Sequence, residues 1–148
     1  MEILLFILFL IVCSFFFAKV EIAIEGPEGW AKNLPVWRLP PSHWVSKLLF
    51  GGRPATSYHV SIVIFIFVFL HLTYIFNPPT IGVEFRLLSF FTFFWVIEDF
   101  LWFVLNPAFG LRNFKKDKIW WHSKNWFLIA PREYFIFIPI GVILYLIS

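Results

Sequence analysis

Two neighbouring acids, Glu98 and Asp99, interrupt a long apolar run that ends at Leu105. An ionisable side chain inside such a run costs about 2.5–3.5 kcal/mol on insertion scales, so it needs a partner or a purpose. On a helix Asp99 shares a face with Thr92 and Asn106, seven residues to either side, and Trp95 and Trp102 flank it. Glu98 stands about 100° further round. The pair can serve one site only if that site lies between neighbouring helices.

Other chemistry-bearing residues are expected at the same depth. The run after Thr56 begins Tyr58-His59-Val60-Ser61, and the end of the first apolar run carries Glu21 and Glu25 at i,i+4, on one helical face. The segment before the last apolar run brings Trp121-His122. Imidazole with carboxylate oxygen is a donor set for Zn or Fe. The metal candidates are therefore Glu98, Asp99, His59, His122, Glu21 and Glu25. The same Glu98, Asp99, His59 and His122 are candidate catalytic groups, because burial moves a carboxyl toward acid–base work near neutrality. Arg53, following Gly51-Gly52, and Arg112 are candidates for holding an anion or head group.

Plainer roles compete with these. Glu98 or Asp99 can pair with Arg53 or Arg112 and lock loops to the bundle. Glu21 and Glu25 can be solvated residues beyond an apolar run, and His122 can belong to an aromatic belt with Trp120 and Trp121. His71 lies about 18 Å along a helix from His59, too far to share a metal with it, and pairs more simply with Glu84 or Arg86. Haem would want a second histidine at the depth of His71, and the chain offers none there. No H-E-x-x-H, G-x-S-x-G, P-loop or Glu-x-x-His pattern occurs.

The elements that must position these residues are apolar helices. Of 148 residues, 60% are hydrophobic, 23% aromatic and 14% charged. A soluble domain carries about 25% charged residues, so the composition argues against a soluble single domain. Cys13 is the single cysteine, which excludes an intrachain disulfide framework. Apolar runs over 3–18, 58–76, 83–105 and 131–148 predict an all-α polytopic integral membrane protein, a four-transmembrane-helix bundle in one domain of 148 residues. The first run has no basic residue before it and no small-x-small site after it, so it reads as an uncleaved helix. Inner loops are expected at 19–57 and 106–130, with Ser42–Phe50 as a short interfacial helix capped by Ser42.

Eleven of the twelve basic residues fall in 19–59 and 106–133, with Arg86 the exception. The positive-inside rule then puts these loops in the cytoplasm and both termini on the non-cytoplasmic side of a plasma or inner membrane. That asymmetry accounts for the net charge of +3 without nucleic acid. Seven of eight tryptophans join the same side and suggest loops lying on the bilayer. The expected partners are membrane lipids, with a homo-oligomer or a larger membrane complex as further associations. The expected function is a metal-dependent or acid–base enzyme acting on a lipid or lipophilic substrate at the cytoplasmic interface. The alternative is a non-catalytic subunit or assembly factor of a membrane complex. A proton path or transporter fits less well, since the polar residues gather at one depth.

Overall fold

The computed structural model describes residues 1–148. Five α-helices follow one another: α1 (Glu2–Glu25), α2 (Trp44–Phe50), α3 (Ser57–Leu70), α4 (Ile81–Leu105) and α5 (Arg132–Leu146). A two-residue antiparallel ladder pairs Trp126–Phe127 with Ala130–Pro131 just before α5.

Local chemistry sets the ends of these helices. The hydroxyl of Thr56 accepts the amide of His59 at 3.2 Å and starts α3, and Thr80 starts α4 by accepting Val83 N at 3.3 Å. Gly26, at φ 69°, stops α1. Before Asn77-Pro78-Pro79, α3 tightens into a 3-10 turn over His71–Ile75. The central element is α4, which packs against α1 on one side and α5 on another and touches α3 more sparingly. Ser14 Oγ donates to Phe94 O at 3.4 Å between α1 and α4, and Ser89 Oγ donates to Gly141 O at 2.8 Å between α4 and α5. The close approach needs Gly141, where a Cβ would lie 2.9 Å from the Phe93 ring.

The densest core lies at one end of the bundle. There Ala18, Trp30, Phe50, Ala55, Trp102, Phe103, Ile119 and Trp121 are buried together. The end of α1, the segment through residue 56, the end of α4 and the loop before α5 all close over it.

This architecture corrects several expectations. Three helical stretches, Glu2–Glu25, Ser57–Ile75 and Ile81–Leu105, are long and apolar enough to cross a membrane by length and composition. The fourth expected span is α5, which has 15 helical residues, short of the roughly 17–25 that crossing requires. The fold is an all-α five-helix bundle with about half its residues exposed and its long helices only partly buried, not a four-transmembrane-helix bundle. Both termini share one side only with an even number of crossings, such as the four expected from the apolar runs. With three, the assignment to a plasma or inner membrane with both termini non-cytoplasmic and basic loops cytoplasmic does not follow. Membrane lipids as partner, and the lipid-directed function or membrane-complex role built on that topology, fall with it.

The tryptophans are corrected too. Trp30, Trp102 and Trp121 are interior residues, 7%, 4% and 6% exposed, rather than members of a belt. The two loops pack on each other and on α4. In α2 the cap is His43, whose Nδ1 accepts Val45 N at 3.3 Å, and not Ser42. Ser46 is fully buried, and its hydroxyl accepts the Ala55 amide at 3.0 Å.

Candidate metal centre and its cavity

The last turn of α1 carries Glu21 and Glu25 one above the other, and the first turn of α3 carries His59. All three are buried, and one ligand atom from each lies within 4.8 Å of the others. They form a buried cluster that could hold a metal ion. His59 Nε2 is 3.1 Å from Glu25 Oε1. On the far side of the ring, Nδ1 is 2.7 Å from Thr56 Oγ1. That oxygen already accepts the His59 amide, so its own hydrogen is free to donate to Nδ1. With Glu25 as its partner Nε2 carries the ring proton; a metal at Nε2 would instead require that proton on Nδ1, where Thr56 Oγ1 can accept it.

The surroundings hold this group still. The indole of Trp30 stacks on the His59 ring, with centroids 4.1 Å apart and planes 21° from parallel. Glu25 also accepts the Trp30 amide at 3.0 Å and the Ala31 amide at 2.5 Å. These two residues adopt positive φ of 51° and 50°, costly for residues with a Cβ. Arg38 donates to the carbonyl oxygens of both. The sequence builds a turn at 26–31 whose amides converge on one carboxylate.

A second array faces the triad. Asp99 Oδ2 accepts the Tyr134 hydroxyl at 2.5 Å, and Asp99 Oδ1 lies 3.3 Å from His122 Nε2. Arg53 Nη1 lies 3.2 Å from the same His122 nitrogen. The guanidinium is stacked 4.4 Å from the Trp30 ring centroid, and its Nε donates to Phe50 O at 2.9 Å. Burial holds the His122 imidazole below its usual range, with Asp99 pulling the other way and Arg53 adding to the depression. Burial, then Asp99, holds the Tyr134 phenol well above its ordinary range, so it stays a donor. Next to Tyr134, Glu133 Oε1 accepts Asn125 Nδ2 at 3.0 Å, and the same Asn125 nitrogen donates to Gly51 O.

One cavity of about 330 Å³ joins the two arrays. Glu98, Asp99, His59, His122, Glu21, Glu25 and Arg53 all line it. The six metal candidates do not form one ligand set, however: Glu21, Glu25 and His59 cluster, while Asp99 and His122 are engaged with Tyr134 and Arg53. Arg112 stands apart, exposed in the short turn Leu111–Asn113. At the opposite end of α3, His71 Nε2 is 3.3 Å from Glu84 Oε1, and Arg86 reaches Glu2 and Ser148 instead.

Several wall residues escaped the sequence reading. Trp30, Glu133 and Tyr134 line the cavity and Thr56 holds His59, and no spacing in the sequence marks any of them as site residues. Five residues on the cavity wall keep a buried polar atom without a partner: Trp95 Nε1, Glu98 Oε1, Trp102 Nε1, His122 Nδ1 and Glu133 Oε2. Buried polar atoms are nearly always paired, so these five are the positions on the wall open to a further hydrogen-bond partner, water included. Comparison with protein-family models, curated proteins and solved structures finds no match.

Proposed function

We propose that the chain binds one divalent transition-metal ion, Zn or Fe by its donor set, through Glu21, Glu25 and His59. The convergence of three buried ligand atoms within 4.8 Å carries this reading. Two carboxylates and one imidazole match the charge and hardness of these ions and leave a coordination position for a further ligand. With a metal on Nε2, His59 Nδ1–H would donate to Thr56 Oγ1, as metal-bound histidines do to their outer-shell partners. The cavity beside the ion gives such a ligand room.

A second reading concerns Asp99 and His122. With its proton on the Nε2 that faces Asp99, His122 keeps Nδ1 as a lone-pair base toward the cavity, oriented by a carboxylate. Glu98, Asp99, His59 and His122 would then divide acid–base work and metal holding between the two arrays, His59 with the metal and His122 as base. Elemental analysis of the purified protein tests the first reading. One Zn or Fe per chain is expected, falling below one tenth in His59→Ala and in Glu21→Gln. Undiminished metal in both variants would remove it.

A further inference from the structure

If Glu21 and Glu25 belong to the metal, which this argument takes from the preceding reading, three acids remain on the cavity wall: Glu98, Asp99 and Glu133. Asp99 is satisfied on both oxygens, by the Tyr134 hydroxyl at Oδ2 and by His122 Nε2 at Oδ1. Glu98 and Glu133 are not. Glu98 is 2% exposed and Glu133 9% exposed, and Glu98 Oε1 and Glu133 Oε2 have no partner. The one cationic side chain on the wall, Arg53, is stacked on Trp30 and donates to Phe50 O, so it presents no free fork to an anion. Trp95, Trp102, Phe103 and Trp121 are among the aromatic side chains that line the rest of the cavity. Aromatic faces attract cations, and more strongly when dry.

We infer that the cavity beside the metal centre takes a small organic cation, a protonated amine on a compact apolar body, with Glu98 and Glu133 as the acceptors of its N–H groups. An acceptor oxygen without a donor is the demand an ammonium meets. The wall offers no free cationic group to a carboxylate or phosphate. Size agrees as well, since about 330 Å³ admits a single ring or a short chain.

Calorimetric titration of the zinc-loaded protein with benzylammonium, benzyl alcohol and benzoate separates charge from shape, because the three are nearly isosteric. Benzylammonium is expected to bind at least tenfold more tightly than either of the others. Glu98→Gln and Glu133→Gln, checked for folding by circular dichroism, should each shrink that preference several-fold. Equal binding of the alcohol, or preference for benzoate, would overturn the inference on the unmodified protein, without any variant. So would release of one zinc per amine bound, which would put the amine on Glu21 and Glu25. Zinc content measured on the same sample keeps the two readings apart. A protein that takes no zinc but still selects benzylammonium, with the preference lost in the Glu98 and Glu133 variants, loses the metal centre and keeps the amine site.

Discussion

Thr56 shows how much one side chain can carry at this site. Its hydroxyl caps α3 through the His59 amide and, with its own hydrogen, orients the His59 ring. Thr56→Val removes both functions. Metal affinity should fall about 10–100-fold, read by competition with a chelator, and stability by about 1 kcal/mol; Thr56→Ser should restore most of each. His122 gives a pH signature. Its folded-state pKa is depressed by burial, so between the ordinary value of about 6.5 and the depressed one the unfolded chain binds more protons. Stability is therefore full above the ordinary value and is lost as pH falls through that window. Urea midpoints taken from pH 7.5 down to 5 should drop less steeply in His122→Gln than in the natural protein. At this scale the sequence was informative where burial is costly: Glu98 and Asp99 drew attention because an acid in an apolar run must be compensated. It was silent where a partner arrives through the fold. Tyr134 meets Asp99 across 35 residues, and no spacing announces such a pair.

Helix ends, more than helix middles, build the site. Glu21 and Glu25 sit in the last turn of α1, His59 in the first of α3, and Glu133 and Tyr134 in the first of α5. Gly51 ties two of these elements together. It closes α2 in the left-handed region at φ 57°, and a Cβ there would overlap Glu133 Oε1. Gly52, at φ 84°, has open space around its Cβ position. Gly52→Ala should cost only the left-handed backbone penalty, about 1–2 kcal/mol. Gly51→Ala should cost more than that, the excess measuring displacement of Glu133, and paired urea titrations of the two variants read the difference. The apolar runs were legible in sequence because their length and caps are local. Their count as spans was not, because α5 reaches only 15 residues although its run extends to the chain end. The cap of α2 shifted by one residue because His43 and Ser42 both offer an acceptor and the backbone geometry chose His43.

Across the whole molecule, composition foretold a chain short of polar surface, and the outward faces of α1, α3 and α5 do display exposed Leu, Ile and Phe. What composition could not foretell is where the tryptophans go. An indole suits a wet–dry boundary and a packed interior equally well, since both give its body apolar contact and its N–H a partner. Trp30 is the instructive example, with its N–H donating to Pro54 O at 2.9 Å and its face against His59. Its backbone, with that of Ala31, is bent into a conformation that the Glu25 carboxylate rewards with two amide contacts. Glu25 thereby acts as a latch. Should its oxygens be drawn away, the bent pair loses its reason to stay bent, the indole lifts from the imidazole, and the guanidinium resting on the other partner of that stack is set adrift. A ligand that competed for the Glu25 oxygens would therefore loosen the turn above the ring as well.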